Sequence, residues 1–122
     1  MDKKQSMNPK RKLQIKADKL WFNKHQEENC EVCGCSEYLQ VHHFYYKGSY
    51  SHLRYDDENA VTLCRGCHFV LHHQDPKKIE DIIIENRGQK WINRLKKKAH
   101  QRPESSYLTL KYYEEIINKL KI

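Results

Sequence analysis

The sequence predicts a small α+β fold: two β-strands and a helix cross-braced by cysteines, with further helices before and after them. Three observations carry this. Four of the cysteines form two Cys-x-x-Cys pairs, Cys30 with Cys33 and Cys64 with Cys67, a β-favouring segment lies between the pairs, and amphipathic helical patterns fill most of the remainder. The chain has 122 residues, of which 38% are hydrophobic, and its mean hydropathy is -1.01. That is enough for one compact domain with a thin core. Small domains short of apolar area often use a bound metal to supply the missing folding free energy.

The five cysteines are an odd number, and no apolar run has the length of a signal segment or a membrane span. These observations argue against a secreted disulfide scaffold, and a reducing cytoplasm is expected. There, paired cysteines read as a zinc site before they read as disulfides. The net charge of +7 and pI near 9.1 point to a polyanionic partner, nucleic acid being the commonest. Charge alone does not separate DNA from RNA or from an acidic membrane.

Taken in order, residues 1–12 carry Lys3, Lys4, Lys10, Arg11 and Lys12, and read equally well as a phosphate-binding arm or as a solubilising tail. Leu13, Ala17, Leu20 and Trp21 recur at helical spacing, which predicts a helix over residues 13–28 with Trp21 and Phe22 turned to the core. Residues 38–46 are rich in β-favouring types and predict the first strand; a long connection from Gly48 ends in the Asp56-Asp57-Glu58-Asn59 cluster; and residues 60–63 make the return strand. Gly66 and Cys67 then turn the chain into a short helix carrying His68, Leu71 and His72.

Asp75 and Pro76 have the form of an N-cap followed by a first helical residue, Ile79, Ile82 and Ile83 give that helix its apolar face, and Gly88 suits its end. Trp91, Ile92 and Leu95 mark another helix, running into Lys96-Lys97-Lys98. After Pro103 a last amphipathic helix carries Leu110, Tyr113, Ile116, Ile117 and Leu120. The expected organisation is a basic arm and helix over 1–28, a zinc-stapled core over 29–74 and a helical extension over 75–122, all in one compact domain.

Structural zinc takes four tetrahedral ligands, and two Cys-x-x-Cys knuckles joined by a hairpin supply Cys30, Cys33, Cys64 and Cys67. Cys35 is close enough in sequence to replace Cys33, and the commoner spacing leaves it free. A second metal follows from the histidines. His68 and His72, at i and i+4, share a helix face, and with His42 they could hold one divalent ion; a helix starting one residue late would substitute His73 for His72.

Neighbours on a strand point to opposite faces, so His43 is left to act as a general base on water aimed at phosphorus. Asn59 could fix the connection and orient His43, and Arg54 could neutralise a phosphate oxygen, although a solvated loop charge is an equal reading for Arg54. His25, His52 and His73 are bystanders, and His100 lies outside the site. Phe44, Tyr45, Tyr46, Tyr50 and Tyr55 could stack on unpaired bases or fill the hairpin's own core.

The set His42-His43, Asn59 and Cys64-x-x-Cys67-His68, with Cys30-x-x-Cys33 upstream, resembles an HNH endonuclease with a ββα-metal core. The resemblance implies His43 as general base, His42 and His68 as metal ligands, and Asn59 as a loop-supporting or metal-binding residue. A narrower similarity runs from Gly48-Ser-Tyr-Ser-His52-Leu53-Arg54-Tyr55-Asp56-Asp-Glu-Asn59 through the isoleucine-rich helix and Gly88-Gln89 to the tyrosine-rich C-terminal helix. It is to the NinG (Rap) recombination proteins of lambdoid phages. Those proteins carry a small residue where this chain has His42 and an Asn where it has His68.

The function expected is metal-dependent DNA hydrolysis leaving a 5′-phosphate and a 3′-hydroxyl. The catalytic ion would be Mg2+, Mn2+, Ni2+ or Zn2+ beside the structural Zn2+. The NinG similarity implies a phage-encoded protein in the bacterial host cytoplasm, branched or junction DNA as substrate, and a homodimer able to cut two strands. Competing readings are a nonspecific or packaging-associated phage HNH nuclease, a non-catalytic zinc-dependent nucleic-acid-binding module, and a structural zinc protein docking through its C-terminal helices.

Overall fold

In the computed structural model, which describes residues 8–121, the strands β1 (Leu39–His43) and β2 (Ala60–Cys64) pair antiparallel, with Leu39 opposite Cys64 and His43 opposite Ala60. Helices α1 (Pro9–His25), α2 (Arg65–His73), α3 (Pro76–Arg87), α4 (Gln89–His100) and α5 (Leu110–Leu120) complete the α+β architecture that the sequence predicts. The chain divides into two compact units. One is His25–Arg102; the other comprises the described residues up to Lys24 and those from Pro103 onward. No helix among the described residues is long and apolar enough to cross a membrane.

Helix α1 begins four residues before Leu13 because Asn8 and Pro9 form a start signal: the Asn8 side-chain oxygen accepts the Lys10 N–H at 2.8 Å, and proline occupies the first helical position. Lys10, Arg11 and Lys12 thus lie in the helix, while Lys3 and Lys4 are outside the described residues. The helix stops at His25, short of the predicted Glu28. The buried Thr62 hydroxyl donates to the His25 carbonyl (3.3 Å) and accepts the Glu27 N–H (3.1 Å), drawing the chain out of the helical path. In the second unit α1 buries Ala17 and Trp21, and α5, capped by the Thr109 hydroxyl on the Tyr112 N–H, buries Tyr113 and Ile117.

Strand β1 is shorter than its β-favouring residues predict. Phe44 N–H still reaches the Asn59 carbonyl at 2.8 Å, but the next N–H, of Tyr45, goes to the Asn59 side chain at 2.7 Å. A side-chain amide has replaced the ladder there. The Tyr46 carbonyl then accepts the N–H groups of Ser49 and Tyr50 in a tight turn. A side chain in place of Gly48 would run into the exposed Tyr46 ring, which would have to turn aside. Two 3-10 turns, Ser51–Leu53 and Asp57–Asn59, carry the connection back to β2.

Helix α2 packs on β2 and α3, and α4 packs on α3 and on both 3-10 turns. Asp75 caps α3 through the Lys78 N–H (3.2 Å), and Gly88, at φ 97°, makes the sharp turn into α4. The core joins Leu53, Val61, Leu63, Ile79, Ile83, Trp91, Ile92 and Leu95, with Ile82 only half-buried. Each fully buried aliphatic chain contributes about 1.5–3 kcal/mol. At the C-terminal end of α4 the His52 Nε2 lies 3.0 and 3.1 Å from the carbonyls of Lys98 and Ala99, satisfying two acceptors that a helix end leaves open.

Charged side chains lock the connection onto the helices. Arg87 closes a bidentate pair with Glu31 at 2.6 Å on both arms, and also donates to the carbonyls of Ala60 (2.6 Å) and Glu58 (3.3 Å). Hydrogen bonds from Arg94, then Lys98, bring the Glu58 carboxyl down to about 2. The Trp91 indole N–H donates to the Glu58 carbonyl at 2.9 Å.

Candidate functional site

The hairpin closes Cys30 and Cys33 onto Cys64 and Cys67, and one sulfur from each falls within 4.8 Å of the other three. Cys30, Cys64 and Cys67 are buried and Cys33 is exposed. The local backbone is turned to serve the sulfurs: the Val32 N–H donates to Cys30 Sγ and the Cys67 N–H to Cys64 Sγ, both at 3.4 Å. Burial opposes ionisation of Cys30, but backbone N–H groups of Cys33, Cys64 and Val32 outweigh it and lower its pKa. Cys64 comes down to about 6, where burial is overcome by the Cys67 N–H and by neighbouring thiols. Burial and the surrounding thiols push Cys67 up. Four sulfurs gathered in so small a volume can share one cation, and four-sulfur tetrahedral ligation suits structural zinc.

Cys35 is not in this group. It is exposed, it points to the Glu37 carbonyl at 3.7 Å, and the adjacent Cys33 and Cys64 thiols raise its pKa to about 11. Its backbone carbonyl accepts the Cys30 N–H at 2.8 Å, closing the first knuckle.

A second cluster draws on the same helix α2. His42, in β1, and His68 and His72, one turn apart on α2, bring ring nitrogens within 4.8 Å of one another. The His42 and His68 rings stack with centroids 4.2 Å apart, and His68 and His72 meet edge-on at 4.3 Å. Burial lowers the His42 pKa to about 4, with repulsion from His68, His72 and His43 adding to it; burial, then His72 and His73, also lowers His68. Both rings are neutral near pH 7, the state in which imidazole binds metal.

The His42 Nε2 atom is buried without a hydrogen-bond partner. An orphaned ring nitrogen beside two further imidazoles is costly for a protein and is what a metal ion would satisfy, so the three residues fit a divalent cation. His73 lies outside this group and rests against Phe69 at 5.0 Å.

His43 projects to the other face of β1, as its neighbour's position requires. Its Nε2 lies 2.9 Å from the backbone carbonyl of Arg54. A carbonyl can only accept, so Nε2 carries the proton and Nδ1 is the basic nitrogen of the neutral ring. Arg54 therefore meets His43 through its main chain, and its guanidinium lies 6.0 Å from the Tyr55 ring centroid.

Asn59 is 0% exposed. Its amide accepts from the Tyr45 N–H and donates to the carbonyls of Tyr45 and Leu53, each at 3.1 Å. It thus holds the connection one residue before the Arg54 carbonyl, and reaches His43 through the backbone rather than by touching its ring. No residue type announces a backbone acceptor in a sequence, which is why the Arg54 carbonyl is found only in the structure.

The bystander histidines and most of the aromatic run make contacts of their own. His52 serves α4, His25 lies 2.8 Å from Asp57 Oδ1, and the His100 ring bonds the Lys96 carbonyl. Of the aromatic run, Phe44 packs edge-on against Trp91 at 5.0 Å, Tyr45 against Tyr50 at 4.8 Å, and Tyr55 is buried; Tyr46 is exposed.

Residues 30–74, which hold both cysteine pairs, all three clustered histidines, His43 and Asn59, match the family model described as HNH endonuclease. What that family's description suggests for the matched segment is a nuclease or nucleic-acid-binding role. No curated protein and no solved structure matches the chain.

Proposed function

We propose that this chain is a metal-dependent DNA endonuclease that hydrolyses phosphodiester bonds with one catalytic ion and a histidine general base. The observation that carries the reading is the division of labour between adjacent residues. His42 enters a three-histidine cluster with an orphaned nitrogen, and His43 is held by the Arg54 carbonyl with Nδ1 as its basic atom.

A divalent cation held by His42, His68 and His72 would supply Lewis-acid stabilisation of charge on the scissile phosphate and on the departing oxygen. His43 Nδ1 takes a proton from water as the water oxygen bonds to phosphorus. The bond from phosphorus to the 3′ oxygen breaks and that oxygen takes up a proton, leaving a 3′-hydroxyl and a 5′-phosphate. Asn59 keeps the Arg54 carbonyl in place through the Leu53 backbone, so it is a positioning residue. The cysteine site holds the two ends of the hairpin and the start of α2 in register.

Branched recombination DNA as the substrate, a homodimer and a phage setting rest on the similarity of residues 48–59 and the C-terminal helix to the NinG proteins. The wider HNH match is equally compatible with a nonspecific phage nuclease. Cleavage of matched duplex, single-stranded and four-way-junction DNA, by protein treated with a mild chelator and then given Mg2+, Mn2+, Ni2+ or Zn2+, tests the reading. Cutting should need an added ion and should disappear in His68→Ala. Junction DNA should be cut faster than duplex if the branched substrate is right. Tight binding without cutting under every ion would instead favour the non-catalytic nucleic-acid module.

A further inference from the structure

Beside the histidine cluster the surface carries a feature that neither metal site uses. Tyr38 sits immediately before β1 at φ 54°, and among the described residues it is the sole non-glycine residue with a positive φ. That backbone region is disfavoured for L side chains. Tyr38 is nevertheless 68% exposed, so core packing does not repay the conformation.

The guanidinium of Arg65 lies over one face of its ring, 4.6 Å from the centroid. Arg65 opens α2 directly after the zinc ligand Cys64 and three residues before His68. A cavity of about 320 Å3 runs between this pair and the histidine cluster, lined by Tyr38, Leu39, Gln40, Arg65 and His68. A second, of about 450 Å3, continues past the pair along Cys35, Ser36 and Glu37. Tyr38 and Arg65 line both, forming a divider in one groove.

We propose that the Tyr38–Arg65 pair is a nucleotide-binding subsite that stacks an unpaired base next to the scissile phosphate. This rests on the nuclease reading above. A guanidinium on one face of an aromatic ring leaves the other face to a base, and base–aromatic stacking tolerates any sequence because every base has a π-face. The outer edge of the same guanidinium keeps its donor fork for a phosphate oxygen. Gln40 shares the strand face of His42 by alternation, and its amide lines the cavity between base and metal ligands. A matched duplex keeps its bases stacked on one another, so the pair should discriminate by pairing state rather than by sequence.

The test uses zinc-loaded protein carrying His43→Ala, which binds without cutting, and the fluorescence anisotropy of a labelled oligothymidine and of a blunt duplex of equal length. Tyr38→Gly removes the ring at a position where glycine is the better backbone fit, so folding should be retained. It should weaken oligothymidine binding by about tenfold or more and duplex binding by less than about twofold. Tyr38→Trp should restore the loss, and Arg65→Gln should weaken binding with a shallower salt dependence.

Tyr38→Gly binding both probes as the parent does, or losing both equally, would overturn the subsite. The nuclease reading fails separately. A chain with His43 intact that binds oligothymidine through Tyr38 yet cuts nothing under any divalent ion would overturn the nuclease and leave base binding standing. A chain that cuts and is indifferent to Tyr38 would overturn the subsite alone.

Discussion

The side chain of Asn59 satisfies three backbone groups at once in a fully buried position. Two of them belong to Tyr45, just past the end of β1, and the third is the Leu53 carbonyl, so one amide ties the start of the connection to its middle, next to the Arg54 carbonyl that meets His43. Asn59→Ala leaves the Tyr45 N–H and carbonyl without partners and takes one of two donors from the Leu53 carbonyl, which keeps the Asp56 N–H at 3.2 Å, and should lower stability by about 2–4 kcal/mol. Asn59→Asp keeps the acceptor, loses both donors and buries a charge, so it should cost at least as much. Urea unfolding of the two variants with an unchanged slope checks this. A loss below about 1 kcal/mol would mean that the connection is held by other contacts.

At the scale of elements, Arg87 ties the end of α3 to the first cysteine knuckle through Glu31 and to β2 through the Ala60 carbonyl, with its guanidinium 4.8 Å from the Trp91 ring centroid. The pair with Glu31 is mostly buried, so Arg87→Ala should cost about 2–3 kcal/mol. Arg87→Lys should recover little of it, because an ammonium cannot reproduce the bidentate fork. Zinc retention against a competing chelator should weaken in parallel, since Glu31 lies between two of the ligand cysteines; unchanged retention would show that the knuckle closes without α3.

Arg87 also marks where sequence reading ends. The Asp75-Pro76 start, the Gly88 turn, the paired cysteines and the return strand are local signals, and each governs its own few residues in the structure. The Asn8-Pro9 start of α1 is local too, yet a reading anchored on apolar periodicity places that start at Leu13. The links from Arg87 to Glu31, from His52 to the end of α4 and from Asn59 to Leu53 depend on chain segments meeting in space. No spacing rule announces them. In the candidate site, the i, i+4 spacing of His68 and His72 and the strand alternation of His42 and His43 are legible, whereas the carbonyl that fixes the His43 tautomer and the left-handed backbone of Tyr38 are not.

Across the whole molecule, one short helix serves both candidate metal-binding clusters: α2 has Cys64 as its N-cap and Cys67 in its first turn, and His68 and His72 follow on the face toward β1. Under the proposed function the cysteines would staple a thin core and the histidines would be left for chemistry, on a chain whose charge of +7 favours a polyanion. The central claim is that folding and catalysis are separable here and that His43 belongs to catalysis. The most direct measurement is the single-turnover DNA cleavage rate of His43→Ala beside the parent protein, with zinc content and DNA affinity determined on the same samples. The account predicts a rate lower by about 100-fold or more, the range of a lost general base, with zinc and affinity unchanged. A rate within a few-fold of the parent, or a fall matched by equal loss of affinity or zinc, would contradict it.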